Sequence, residues 1–150
     1  KAQDNGQTLS FSARSGSLEC LKYANEHVRL SDCPYHACDN GQTLSYSARS
    51  GSLECLKYAH KHMNAQDDGQ TLSCAARSGN LECLKYAYRI TRKQYTDTLL
   101  NNAAESGSFP CFIYVYEKIL DYRYTSGLSI INYAIRGNSF ECIEYCYYNL

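Results

Sequence analysis

The chain says one thing three times. GQTLSFSARSGSLECLKYA occupies residues 6–24, GQTLSYSARSGSLECLKYA residues 41–59 and GQTLSCAARSGNLECLKYA residues 69–87. Two weaker copies follow, one running from Thr98 and containing AAESGSFPCFIYVYEKI, the other containing NYAIRGNSFECIEYCYYNL. One cysteine marks the same place in every copy: Cys20, Cys55, Cys83, Cys111 and Cys142, at intervals of 35, 28, 28 and 31 residues. Self-similarity at a period of roughly 20–50 residues signals a stacked array and not a closed globule. Each unit is one small element whose apolar face is buried only by its neighbours.

Every copy reads as two helical halves around a chain break. The first half (TLSFSARS at 8–15) is short and carries small residues, Ser12 and Ala13, Ser47 and Ala48, Ala75 and Ala76, Ala103 and Ala104, which allow close helix approach. Gly16, Gly51, Gly79 and Gly107 then end the helix, as expected of a left-handed position where a Cβ would clash. In the fifth copy that place falls to Asn138, the next-best residue for left-handed backbone. The second half begins at Ser17, Ser52, Asn80, Ser108 or Ser139, all N-cap residues. Glu19, Glu54, Glu82 and Glu141 follow in the first turn, where the helix dipole favours a carboxylate. The fourth copy has Pro110 there, and proline is tolerated in a first turn because that N–H has no helical acceptor. In LECLKYA, Leu18, Leu21 and Ala24 form an apolar stripe that Cys20 and Tyr23 broaden. The five aligned cysteines are thus expected in the core, as small buried hydrophobes. Reduced thiols, an odd total of nine cysteines and an intracellular setting belong together in this reading.

These residues resemble ankyrin repeats. The family pattern TPLHxAAxxGHLEVVKLLL aligns without gaps to QTLSFSARSGSLECLKYA, matching its Ala, Gly, Leu and Glu-x-x-Lys positions. The wording LECLKYA, with CPY at 33–35, is most similar to the arrays of large DNA viruses and some protists. The resemblance spans nearly the whole chain, strongly in the first three copies. It departs from the family in two intervals of 28 residues, where the usual period is about 33. Thr8 and Ser10 also replace the Pro and His of TPLH, so the β-hairpin finger between repeats should be shortened or absent in places. A leucine-rich repeat fits the period but lacks the LxxLxLxxN strand pattern; a tetratricopeptide array lacks its signature aromatics. The expected fold is an all-α, ankyrin-like helical-hairpin solenoid of about five repeats, approximately 1–28, 29–63, 64–91, 92–120 and 121–150, forming part of a longer array.

Other chemistries find thin support. His27, Cys33, His36 and Cys38 are permissible zinc ligands, but their spacing fits no strong zinc pattern. A nucleophilic cysteine needs a base, and none recurs beside the repeated cysteine; His60 and His62 sit at one helix end only. The tyrosine ladder Tyr23, Tyr58, Tyr86, Tyr114 and Tyr145 reads as helix packing. Tyr145, Tyr147 and Tyr148 form a terminal cluster suited to a further repeat or an assembly subunit, because this end has no polar cap. The pairs Glu19/Lys22, Glu54/Lys57 and Glu82/Lys85 read as i,i+3 surface pairs. Fifteen basic and fifteen acidic residues cancel, which points away from nucleic acid, and no apolar run reaches the ~20 residues of a membrane helix.

What the resemblance implies is a non-catalytic protein-binding scaffold without cofactor or metal, contacting its partner through the inner-helix and loop face. At the end of the inner helix stand Arg14 and Ser15, Arg49 and Ser50, Arg77 and Ser78, with Glu105 interrupting the row before Arg136. The loop residues Asp4, Asp39, Asp67 and Asp68 are expected near the same edge. Arginine forks suit a partner rich in carboxylates or carbonyls. Two other readings remain: a structural component of a viral particle or large assembly, and a Cys-rich metal or redox protein.

Overall fold

The computed structural model describes residues 7–30, 42–91, 97–119 and 127–150. Ten α-helices and no strand occur among them. They come as five hairpins: α1 (Thr8–Arg14) with α2 (Leu18–Leu30), α3 (Thr43–Arg49) with α4 (Leu53–His62), α5 (Thr71–Arg77) with α6 (Leu81–Ile90), α7 (Asp97–Glu105) with α8 (Phe109–Tyr114), and α9 (Gly127–Arg136) with α10 (Phe140–Asn149). A π-helical turn, Val115–Ile119, continues α8. The odd-numbered inner helices pack on one another in chain order, and the even-numbered outer helices form a second row.

The breaks between halves behave as the residues dictate. Gly16, Gly51, Gly79 and Gly107 have φ between 72° and 74°, and Asn138 has φ 52°. The serine before each glycine closes the same turn: Ser50 Oγ donates to Ser47 O at 2.8 Å and accepts from the Ser52 N–H at 3.3 Å. Ser52 Oγ then accepts the Cys55 N–H, and Asn80 Oδ1 accepts those of Glu82 and Cys83. These caps satisfy N–H groups that a helix start leaves unpaired.

The core runs the length of the stack. Leu21, Leu56, Leu84 and Phe112 occupy one repeat position and are fully buried. Ala48, Ala76 and Ala104 are likewise closed off between inner helices. The finger between the second and third hairpins, residues 63–70, is irregular loop, in line with the shortening expected from the sequence. Asp67 and Asp68 accept the N–H groups of Gly69 and Gln70, and Ser45 Oγ ties Asp68 to α3 at 3.0 Å.

One core assignment is corrected. Cys55, Cys83, Cys111 and Cys142 are buried, whereas Cys20 is exposed. The cysteine packs backwards, onto the preceding hairpin: Cys83 Sγ donates to Gly51 O at 3.1 Å, and Cys55 clusters with Ala13 and Leu21. Cys20 belongs to the first hairpin and has no described hairpin behind it. Tyr23 is exposed for the same reason, although its equivalent Tyr86 is buried.

Thiol reactivity follows this order. Burial pushes the Cys83 and Cys146 thiols up to about 11 from 9.0, and those of Cys111 and Cys142 rise as well. The thiolate is the reactive species. Brief labelling of the dilute native protein, read peptide by peptide, is therefore expected to modify Cys20 well before Cys55, Cys83, Cys111 or Cys142. Equal native rates for Cys20 and Cys83 would overturn the packing direction.

Candidate functional site

The inner helices present Arg14, Arg49 and Arg77 at their last turns, where cations meet the negative end of the helix dipole. Because α1, α3, α5, α7 and α9 pack in sequence, these side chains fall on successive units of one edge. All three are exposed, as is Arg136 at the end of α9. Glu105 takes the corresponding place on α7 and does more than interrupt the row. Arg77 Nη2 donates to Glu105 Oε1 at 3.1 Å, linking the third and fourth hairpins. Arg14 and Arg49 make no ion pair with any described residue. Arg136 lies over the Tyr133 ring at 5.5 Å.

The serines of the edge are spoken for by the turn. Ser15 Oγ donates to Ser12 O, and Ser78 Oγ to Ala75 O, as Ser50 does to Ser47 O. Their hydroxyls set the turn that holds each arginine in place.

The acidic loop docks on the same inner helices, one turn ahead of the arginines. Asp68 binds Ser45, in the first turn of α3, while Arg49 ends that helix. Ser45 and Arg49 are four residues apart, so about 6 Å of helix axis separates the Asp68 attachment from the arginine end. Asp4 and Asp39 fall outside the described residues. Cys74, in the middle of α5, feels both sides: after burial, which raises its thiol, the nearest influences are Arg49, Asp68 and Arg77. The row that sequence reading missed stands three residues before the arginines: Phe11, Tyr46, Cys74 and Tyr133. The i,i+3 relation puts them on the arginine face, a signal present in the sequence. An open cavity of about 610 Å³ lies on the acidic side, lined by Leu44, His60, Ile90 and loop residues 64–69.

The outer helices show how neighbouring hairpins engage. Lys22 and Lys57 were expected to pair with Glu19 and Glu54. They lie instead 5.9 and 6.0 Å from the ring centres of Tyr58 and Tyr86 in the next hairpin. Lys85 does pair with Glu82, at 2.9 Å. The tyrosine of each hairpin also meets a residue of the one before. Asn25 Nδ2 donates to Tyr58 Oη at 3.2 Å, His60 Nδ1 lies 3.0 Å from Tyr86 Oη, and Tyr88 meets Tyr114 edge to face. Tyr116 meets Tyr145 in the same way.

The remaining candidates resolve into local structure. His27 stacks on Tyr23, and its Nδ1 lies 2.8 Å from Tyr23 O; Cys33, His36 and Cys38 fall outside the described residues. Among the described residues no group of three or more His, Cys, Asp or Glu could hold a metal ion. His62 stacks on Tyr58, and His60 is engaged with Tyr86. No helix is long and apolar enough to cross a membrane, among the residues described. A search of curated proteins finds no match. The family model for ankyrin repeats (3 copies) matches residues 9–94.

Proposed function

The chain belongs to the ankyrin-repeat family, and from that footing we propose that it is a non-catalytic binding scaffold whose contact surface is the inner-helix edge of Arg14, Arg49, Arg77 and Arg136. Ankyrin repeats generally mediate protein–protein interaction. The observation that supports this edge is the Arg77–Glu105 pair. One arginine of the row already holds a carboxylate delivered from the side. Arg14 and Arg49, exposed and without a described ionic partner, offer the same fork to a carboxylate from outside. The partner is therefore a protein segment rich in acidic or carbonyl groups, held in two-pronged hydrogen bonds. Tyr46 and Cys74 beside the strip add apolar contact. Salt screens exposed charges beyond about 8 Å at physiological ionic strength, so recognition by this edge is short-ranged. The free thiols of the described cysteines suit a reducing, intracellular compartment.

The test is a displayed random-peptide selection against the folded chain, followed by affinity measurement of the enriched peptides. Enrichment of Asp and Glu is expected. The combined variant Arg14→Glu, Arg49→Glu and Arg77→Glu should keep its helix content and lose at least about tenfold in affinity, about 1.4 kcal/mol. The control variant Lys22→Glu, Lys57→Glu and Lys85→Glu changes the outer helices. Loss of binding in the control with retention in the arginine variant would place the contact on the outer row and refute the assignment.

A further inference from the structure

The arginine edge has a fixed step. Helices in contact lie about 8–10 Å apart axis to axis, so residues at one repeat position recur at about that interval. Arg14, Arg49, Arg77 and Glu105 hold one such position on α1, α3, α5 and α7. The step is bridged once inside the molecule: Arg77 Nη2 reaches Glu105 Oε1 at 3.1 Å, with the two side chains 45 % and 22 % exposed. A partner backbone has to place its carboxylates at the same step and on one side. A β-strand advances about 3.3 Å per residue, so three residues cover the step but turn that side chain to the opposite face. A polyproline II helix advances about 3.1 Å per residue and repeats every three, so residues i and i+3 share a face about 9 Å apart. An α-helix returns to one face after seven residues, about 10.5 Å, but its carbonyls are bonded internally. Polyproline II carbonyls are free to accept, and each guanidinium has several N–H donors to offer them. Tyr46, half-buried and one turn before Arg49, sets a ring beside the strip, the kind of side chain on which such segments dock.

On the reading that this edge is the contact surface, we propose that its partner is a polyproline II segment carrying two carboxylates three residues apart, and that Glu105 sets their number. One carboxylate goes to Arg14 and the next to Arg49, neither of which pairs with a described residue. A third in the same register arrives at Arg77, which Glu105 already holds. Glu105 is tethered to the same stack and competes at a high effective concentration. It also sets a like charge beside the incoming one. An exposed ion pair contributes little to stability, so Glu105 governs selectivity more than folding.

Calorimetric titration of the chain with synthetic peptides tests this. Proline-rich peptides with two aspartates three residues apart are expected to bind at least about fivefold more tightly than those with aspartates two or four apart. They should also bind more tightly than an alanine-rich helical peptide with aspartates seven apart. A third aspartate in the three-residue register should change affinity less than about twofold in the wild type and raise it at least about fivefold in Glu105→Gln. Glu105→Ala should behave as Glu105→Gln does, and circular dichroism checks that both keep their helix content. Absence of the spacing preference, a tighter helical peptide, or an equal gain from the third aspartate with and without Glu105 overturns the proposal. Arg49→Glu separates the two readings. If it abolishes binding of peptides that show no spacing preference, the arginine edge stands and the polyproline II register falls. If peptide binding survives it unchanged, the edge itself is wrong, and failure of every peptide to bind overturns both.

Discussion

Replacing Gly107 with alanine is expected to destabilise the fourth and fifth hairpins by about 3–4 kcal/mol, against about 1 kcal/mol for the same change at Gly51. The two glycines share one backbone conformation, φ 72° and 74°. Left-handed strain is therefore common to both substitutions and cancels in the comparison. Their surroundings differ. A Cβ at Gly51 would meet Ser78 Cβ at 3.7 Å and Asn80 Cβ at 3.8 Å, ordinary contact distances. A Cβ at Gly107 would overlap the Gly137 carbonyl oxygen. That atom is backbone and cannot swing aside, so the α7 and α9 hairpins must separate. Gly137 meets the same crowding from the other side: its Cβ would overlap Ala104 O and stand 2.8 Å from Gly107 N. This explains why Gly137 occupies the place held by Ser50, Ser78 and Ser106 in earlier copies. Urea titrations of both variants check the result; equal costs at Gly51 and Gly107 would refute the steric account.

The second large effect is expected from Phe112→Ala, at about 3–5 kcal/mol. Phe112 heads the fully buried side chains by volume and fills the place taken by leucine in the first three copies. It stacks on Tyr116 at 6.3 Å and meets Tyr145 edge to face at 5.8 Å. Its removal empties the junction between the fourth and fifth hairpins at its centre. In a stack whose units touch only neighbours, damage stays local. Hydrogen exchange should therefore lose protection within 97–150 while α3 to α6 keep theirs. A single collapse of protection across the whole chain would show a globally cooperative core and defeat the array description.

What the sequence by itself determined is the unit. Caps at Ser52, Asn80 and Ser139, left-handed breaks at the glycines and at Asn138, and the buried leucine position were all legible in one copy. Each depends on a residue's own backbone preference or on partners within four positions. The repetition then implied stacking, and the arginine edge followed because identical units place identical residues in line. Tertiary structure decided everything that depends on a neighbour 28–35 residues away. Cys20 and Cys83 share the same local wording, yet one is exposed and the other buried, because only Cys83 has a described hairpin behind it. Lys57 turns from Glu54 to the ring of Tyr86, and Arg77 finds Glu105. Asp68 lands on Ser45, one turn ahead of Arg49, since a loop's landing point is set by the unit it docks on. Burial and pairing are properties of both faces of a contact, and one copy of the repeat encodes only one of them.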